Sequence, residues 1–218
     1  MKTTKAISMI LGLALASASF GADEGFKPLF DGKSPDGWIT SAGKPLPKEN
    51  IQEDGLNPHN SGGYIVVPDR KFEDFILEFD YKISKGCNSG VFLRVGDLKD
   101  PVMTGLEVAI DDTTGRGIHD SGAIYDLVSP RVNGQKAQGE WNHMSIAARG
   151  PIIEVVLNGA SVSKIDLSEW PEPGKRPDGT NHKFTKVAMK SMIRGGYLGF
   201  QDHGQDCWYK NVKIKELK

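Results

Sequence analysis

The clearest signal along the chain is a segment in which hydrophobic and polar residues alternate. In Phe75–Ile83, with the sequence FILEFDYKI, the odd-numbered positions are aromatic or aliphatic, and three of the four even-numbered positions are charged. A period of two places these side chains on opposite faces of a β-strand. A strand with one polar face is typical of an antiparallel sheet that is packed on one side only.

Further short strands are predicted at close intervals along the rest of the chain. Asn158-Gly159, between two of them, is a strong signal for a two-residue hairpin turn. Closely spaced strands without long helices between them favour an all-β sandwich of two antiparallel sheets. We expect one short helix, at Lys183–Ile193, in an insertion at one edge. The other predicted strands are Tyr64–Val67, Ser89–Val95, Leu106–Asp111, Ala123–Leu127, Met144–Arg149, Ile152–Leu157, Ser161–Asp166, Tyr197–Gln201 and Trp208–Leu217.

The composition fits a single domain of this kind. The 218 residues include 26 Gly and 12 Pro, which favour many short strands joined by turns. The net charge of −1 gives no indication of electrostatic binding to nucleic acid or to an anionic membrane. No shift in composition marks a second domain, so we expect one domain at residues 23–218.

The start of the chain has the pattern of a secretion signal. Two lysines are followed by an apolar run at residues 6–16 and then by small residues. The run is too short to span a bilayer, and no other stretch is long enough, so membrane insertion is not expected. We therefore expect residues 1–22 to be a signal peptide, cleaved after Ala18 or after Ala22, and the protein to be exported to the periplasm or the extracellular space.

Alternation in three of the predicted strands places polar side chains together on one sheet face. The segments are NSGVFLRV at 88–95, GLEVAIDD at 105–112 and YLGFQDHG at 197–204. Gly90, Ala109 and Gly199 lie on the same face and are expected to leave space for a ligand. The other members of this face are Asn88, Phe92, Arg94, Glu107, Asp111, Gln201 and His203.

This set of side chains is suited to a carbohydrate ligand. Asn and Gln offer both donors and acceptors to sugar hydroxyls, and Trp38, Phe92 and Tyr125 offer flat apolar surfaces for a sugar ring. We expect Arg94 and Glu107 to pair and to orient each other. The alternative for these two residues is an ordinary cross-strand ion pair without a functional role.

The histidines divide into two groups. His203 follows the third strand in a turn bounded by glycines, where it is either a site residue or a donor that fixes the turn. His119, in a loop rich in Gly and Asp, is a further candidate for ligand contact. We expect His59, His143 and His182 on the surface.

Cys87 and Cys207 each lie in a Gly-rich turn beside these motifs. An exported protein meets an oxidising environment, so a disulfide across the rim of the site is one hypothesis, and two free thiols are the other. Two cysteines do not make a metal site, and no His lies at ligand spacing from either of them.

Seven motifs follow one another in the order expected of one family. They are GFKPLFDGKSPDGW, NSGVFLRV, GLEVAIDD, SGAIYDL, GEWN, LNG and GYLGFQDHGQDCWYKNVKIKEL. From about Gly25 to Leu217, the chain resembles the 3-keto-disaccharide hydrolase family. The resemblance implies a concanavalin A-like jelly-roll sandwich with a concave sugar-binding face. It also implies exported members that act on glycosides oxidised at C3, with the ketone made by a partner oxidoreductase.

The resemblance also implies the location of a pocket, at the residues that the alternation selects. It would be formed by Asn88, Arg94, Glu107, Tyr125, Gln201, Asp202 and His203. A ketone at C3 acidifies the hydrogen on C2, because the carbanion is delocalised as an enolate. The group on C1 then leaves by β-elimination, and addition of water makes the net reaction a hydrolysis. This route needs a general base and donors to the enolate oxygen, and it does not need the two spaced carboxylates of ordinary glycosidases.

This chemistry predicts a role in the reaction for several of the pocket side chains. Glu107 or His203 is the expected base, and Arg94 and Asn88 are the expected donors to the enolate oxygen. Tyr125 or His203 is expected to assist the leaving group. A divalent metal held by His203 and a carboxylate is an alternative means of stabilising the enolate. Further substrate contacts are expected from Trp38, Phe92, Asp111, His119, Gln201 and Asp202, with Asp202 also orienting its neighbour.

Two other functions are compatible with the same fold, because fold alone does not decide function. A non-catalytic carbohydrate-binding module would need only Asn, Trp and Tyr side chains, so the titratable cluster of Glu107, Arg94 and His203 favours an enzyme. A retaining glycosidase of the laminarinase-like type would use two or more carboxylates on one strand, a pattern that Glu107 and Asp111 match only loosely.

Overall fold

The computed structural model describes residues 24–53, 55–112, 115 and 117–218, and the predicted signal peptide at 1–22 lies outside them. One α-helix, α1 (Pro101–Thr104), is present in this part of the chain, with 3-10 turns at Lys48–Asn50, Leu167–Glu169 and Met189–Ser191. The strands are β1 (Lys27–Pro28), β2 (Trp38–Thr40), β3 (Ile51–Gln52), β4 (Gly55–Leu56), β5 (Ile65–Pro68), β6 (Phe75–Ile83), β7 (Asn88–Val95), β8 (Leu106–Asp111), β9 (Asn142–Arg149), β10 (Ile152–Leu157), β11 (Ala160–Asp166), β12 (Tyr197–Gln201) and β13 (Cys207–Glu216).

The strands form two antiparallel sheets, which confirms the predicted all-β sandwich. The first sheet has the order β11-β10-β9-β6-β13-β4-β3, with β1 paired to β13, and the second has the order β2-β5-β12-β7-β8. The odd-numbered residues of β6 are buried and its even-numbered residues are half-buried, which confirms the two faces predicted for this strand.

The core lies between the two sheets and is rich in stacked aromatic rings. Phe200 of the second sheet stacks on Tyr209 of the first, with ring centroids 4.0 Å apart. Trp38 stacks on the same phenylalanine at 5.8 Å and is 3% exposed. The expectation that Trp38 contacts substrate is therefore wrong in this structure, because its ring is enclosed in the core.

Arg94 is also placed differently from the expectation. Its φ of +56° and a shift in the pairing of β12 with β7 show that β7 is irregular near its end. The guanidinium is 1% exposed and donates to the carbonyl of Gly150 at 2.6 Å and to Asp74 at 3.4 Å. The predicted pair between Arg94 and Glu107 is wrong, because period-two alternation fails where the strand leaves its regular conformation.

Two predicted elements are replaced by irregular structure. Residues 183–193 form no α-helix and contain only the 3-10 turn at 189–191. Phe184 and Met189 both bury their side chains, and residues five positions apart would lie about 140° apart around a helix. The predicted strand at 123–127 is a turn with isolated bridges from Ile124 to Val108 and Val128.

Both cysteines are free and buried, so the structure has two thiols and no bridge. His182 is buried beside Trp170 and Phe184, with ring centroids 5.8 Å away in each case, so its expected surface position is wrong. No helix among the described residues has the length and apolar character needed to cross a membrane.

Candidate active site

A polar cavity of about 290 Å³ lies on the face of the second sheet that is turned away from the core. Strands β7, β8 and β12 provide its floor, and α1, the loop at 117–126 and Lys183 provide its walls. Its lining residues are Tyr64, Asn88, Val102, Glu107, Ala109, Ile110, Asp111, His119, Tyr125, Lys183, Gln201 and His203. The structure therefore brings together seven of the predicted site residues: Asn88, Glu107, Asp111, His119, Tyr125, Gln201 and His203.

Glu107 is the most strongly perturbed acid in this cavity. Its side chain occupies the space above Gly90 on the neighbouring strand, where an added Cβ would lie 2.9 Å from Glu107 Cγ and Oε1. Burial raises the Glu107 pKa to about 7, the nearby Lys183 charge opposes this rise and Asp111 adds to it. A carboxylate with a pKa near neutrality can both take and return a proton at physiological pH.

Lys183 also lines the cavity, a position that the sequence did not reveal. Its ammonium lies 3.8 Å from the centre of the Tyr125 ring, and burial lowers its pKa while Glu107 and Asp126 raise it. The backbone N–H of Lys183 donates to Asp126 Oδ2 at 2.6 Å, and Arg176 donates to the Asp126 carbonyl at 2.7 Å. Asp126 therefore ties the insertion that carries Lys183 to the loop that carries Tyr125.

Tyr125 is held next to the acid by the backbone. Its N–H donates to the Glu107 carbonyl at 2.9 Å, which aligns the loop with the free edge of β8. The His119 ring meets the Tyr125 ring edge-on, with centroids 4.9 Å apart. Burial and the Glu107 charge raise the Tyr125 pKa, so its phenol keeps its proton at neutral pH.

Tyr64 and Gln201 form a second polar pair in the cavity. Gln201 is 2% exposed and donates from Nε2 to the Tyr64 hydroxyl at 2.6 Å. Its Oε1 is buried and accepts no hydrogen bond from the described residues. A buried carbonyl oxygen without a donor is costly unless a ligand or water supplies one. Tyr64 was predicted only as the start of a strand, and its place in the cavity was missed.

Several predicted contacts lie outside the cavity lining. Asp202 accepts from the Asn60 N–H at 2.9 Å and from the Gly204 N–H at 3.0 Å, and it pairs with His59, so it holds two loops together. Phe92 is fully buried beneath Tyr64, with ring centroids 6.0 Å apart. Neither side chain is placed for direct contact with substrate in this structure.

The space left by the two glycines of this face is occupied by protein atoms and is not open to a ligand. The space above Gly90 is filled by Glu107, and an added Cβ at Gly199 would lie 2.2 Å from the Val66 carbonyl oxygen. Gly199 therefore permits the close approach of β12 and β5. Ala109 alone, of the three small residues expected to leave room, lines the cavity.

His203 is the expected metal ligand in the metal-assisted alternative. Among the described residues, no group of three or more His, Cys, Asp or Glu side chains is arranged to hold a metal ion. The described part of the chain therefore offers no such set of ligands in support of the metal-assisted alternative. An assay with a chelator tests this alternative directly.

Three proteins are similar to this chain in sequence, in fold or in both. It is 26% identical to a 3-keto-disaccharide hydrolase of Bacteroides thetaiotaomicron, over 89% of this chain and 79% of that protein. A solved structure from Parabacteroides distasonis, provisionally described as a glycosyl hydrolase, is 29% identical with a TM-score of 0.73, covering 88% of this chain and 99% of that one. A carbohydrate-binding module from Bacillus subtilis is 13% identical with a TM-score of 0.50, covering 83% and 96%, and shows likeness of fold alone.

These likenesses place the chain in the class of hydrolase-like proteins with the predicted jelly-roll sandwich fold. The profile of one family matches residues 25–215. The chain belongs to the family of 3-keto-alpha-glucoside-1,2-lyase-like domains.

Proposed function

We propose that the protein cleaves glycosides whose sugar ring carries a ketone at C3, with Glu107 as the general base. One observation carries the proposal: a carboxyl that is 8% exposed, with a pKa of about 7, in a polar cavity. Enzymes raise the pKa of a carboxylate by burial when it must abstract a proton at neutral pH. His203, the other candidate base, is exposed at the cavity rim.

The reaction begins at C2 of the oxidised sugar. Glu107 removes the C2 proton, and the electron pair moves toward the C3 carbonyl to form an enolate. Collapse of the enolate forms a C1–C2 double bond, and the C1–O bond breaks with both electrons on the departing oxygen. Release at this point is a lyase reaction, whereas addition of water, hydroxyl to C1 and hydrogen to C2, completes a hydrolysis.

The enolate oxygen needs a positive or hydrogen-bonding partner as its charge develops. Arg94 was the expected partner, but its guanidinium is held by Asp74 and Gly150 away from the cavity lining. Lys183 is the cation that lines the cavity, and Asn88 lines it with an amide. We assign the enolate oxygen to Lys183 and Asn88.

The alternatives fit the site less well. A binding module gains nothing from a buried carboxylate, because burying a charge costs free energy that sugar hydroxyls repay poorly. In a retaining glycosidase the two carboxylates are about 5 Å apart. Glu107 and Asp111 share one strand and match the carboxylate pattern of such enzymes only loosely.

The test uses a 3-keto disaccharide and its unoxidised parent, with released sugars and unsaturated products followed by mass spectrometry. We expect cleavage of the keto compound alone. Cleavage of the parent would favour an ordinary glycosidase, and binding of either compound without cleavage would favour a binding module. Repeating the assay with a chelator tests the metal-assisted alternative, since loss of activity that added divalent ion restores would support it.

The rate of cleavage is expected to rise with pH. The base acts in its ionised form, and burial sets the Glu107 pKa at about 7. The value of kcat/KM should therefore increase about tenfold per pH unit below that pKa and level off above it. A profile that is flat from about pH 5 to about pH 9 would contradict the assignment of Glu107 as base.

Gly90→Ala is expected to damage catalysis more than folding. The added carbon would displace the Glu107 side chain, and a displacement of about 1 Å at a catalytic group can cost about 100-fold in rate. Gly195→Ala is the matched control, because the added carbon there meets no atom within 4 Å. Equal kcat values for the two variants would contradict this position for Glu107.

We further propose that the protein acts after export, on the product of a partner oxidoreductase that oxidises the sugar at C3. The signal-like sequence at 1–22 and the need for a ketone support this proposal. Sequencing the N-terminus of the protein recovered from its native host checks the export step.

A further inference from the structure

The candidate cavity borders a second groove along two residues that line both spaces. A shallower groove of about 460 Å³ has Ser41, Tyr64, Leu98, Pro101 and Val102 in its lining. Tyr64 and Val102 also line the polar cavity, so the two spaces meet at these residues. A substrate with two sugar units has its scissile bond between the units, and the residues at such a junction are the ones that can reach it.

Contacts of its backbone, ring and hydroxyl hold Tyr64 in place at this junction. The Tyr64 N–H donates to Ser41 Oγ at 2.9 Å, and the Tyr64 carbonyl accepts from the Asp202 N–H at 2.9 Å, so both sides of its backbone are held. The ring meets Phe92 and His203 edge-on, with centroids 6.0 and 6.3 Å away. Gln201 donates to the phenol oxygen, which leaves the phenol hydrogen available for an acceptor in the cavity.

From this geometry we propose that Tyr64 is the acid that protonates the departing sugar, that Gln201 is its positioning residue, and that the second groove receives the leaving group. This inference rests on the proposed cleavage of 3-keto-glycosides. As the C1–O bond breaks, its electron pair goes to the departing oxygen, and the Tyr64 phenol transfers its proton to that oxygen. The tyrosinate regains a proton from water, and Glu107 returns the C2 proton to water, so protons balance over one turnover.

The electrostatic surroundings suit this role. Burial and the charge of Glu107 raise the Tyr64 pKa, while the Gln201 hydrogen bond lowers it, so the phenol holds its proton until an alkoxide develops beside it. Tyr125 was expected to assist the leaving group, but it does not border the second groove, and the Lys183 ammonium lies over its ring.

The test compares two leaving groups on the full chain. 4-Nitrophenol departs as a stable anion and needs no acid, whereas a sugar alkoxide does. We expect Tyr64→Phe to lower kcat/KM for a 3-keto disaccharide by about 100-fold or more, and to lower it less than about fivefold for 4-nitrophenyl 3-keto-glucoside. We expect Gln201→Leu to show the same selectivity to a smaller degree, which a general loss of structure would not produce.

The controls separate the inference from the proposed function. Glu107→Gln should impair both substrates, because proton abstraction precedes departure of either group. Equal losses on both substrates in Tyr64→Phe, or a selective loss in Tyr125→Phe instead, would overturn the role of Tyr64 while leaving the proposed function intact. If the unaltered protein cleaves neither keto compound, the proposed function fails and this inference fails with it.

Discussion

Glu107→Gln is expected to abolish cleavage and, at the same time, to stabilise the fold above neutral pH. Loss of a general base typically costs about 100-fold to 10,000-fold in rate. The effect on stability follows from the raised pKa, since the folded protein holds a proton on Glu107 at pH values where the unfolded chain has released it. The change in the Glu107 pKa from 4.5 to about 7 corresponds to a penalty of about 3 kcal/mol in the free energy of unfolding.

The stability of the unaltered protein is expected to fall with rising pH over the range in which Glu107 ionises. Below about pH 4 the carboxyl is protonated in both states, so the penalty is absent. Between pH 4.5 and about 7, the two pKa values of Glu107, the unfolded state binds fewer protons than the folded state, so stability falls as pH rises. Above this range the penalty is constant. Urea unfolding at about pH 4 and about pH 8.5 should therefore show a gain for the variant only at the higher pH.

Glu154→Gln is the matched control for this experiment. Glu154 lies on β10 of the other sheet, in an exposed pair with Lys164 at 2.7 Å. An exposed ion pair contributes about 1 kcal/mol or less, so the control should lose a little stability or none at pH 8.5. A Glu107→Gln variant that is less stable than the unaltered protein at that pH would show that the carboxylate is favourably held.

Arg94→Met is expected to destabilise the fold by about 3 kcal/mol without changing the kinetics of the folded protein. The substitution leaves the Gly150 carbonyl without the donor that Arg94 supplies and removes one partner of Asp74, which keeps an ion pair with Arg194. The measurements are urea unfolding, and kcat and KM per folded molecule.

Arg70→Met provides the comparison for the buried arginine. Arg70 and Glu216 form a pair at 2.7 Å in which both side chains are about half exposed. Its loss should cost about 1 kcal/mol or less. If the Arg94→Met protein folds but has lost its activity, Arg94 takes part in the reaction. That result would contradict the structural role that its hydrogen bonds to Asp74 and Gly150 indicate.

The sandwich could be predicted from the sequence because its strands are long enough to show their period. The strands Phe75–Ile83 and Leu106–Asp111 have the predicted bounds, and the polar face that contains Glu107 was found from alternation alone. Alternation describes a regular strand, however. It fails at Arg94, where a positive φ turns the side chain away from the face that counting assigns to it.

The missed residues lie where the chain has no period. Lys183 belongs to an irregular insertion, and its place in the cavity depends on the hydrogen bond to Asp126, 57 positions away along the chain. Tyr64 precedes β5 and reaches the cavity because Ser41 and Asp202 hold its backbone. Contacts of this range leave no pattern in a single sequence, whereas the family motifs pointed to Tyr125 and His203.

The absence of a side chain at Gly90 leaves the space in which the Glu107 carboxylate lies. The carboxylate occupies a volume that any larger residue at that strand position would claim. A protein of the same architecture that binds sugar without cleaving it has no need to keep this volume open, and a change at the glycine would remove the base from its place even if the glutamate remained. With Glu107 as the proposed base, glycine at position 90 is expected to accompany the acid in the members of this fold that cleave sugars.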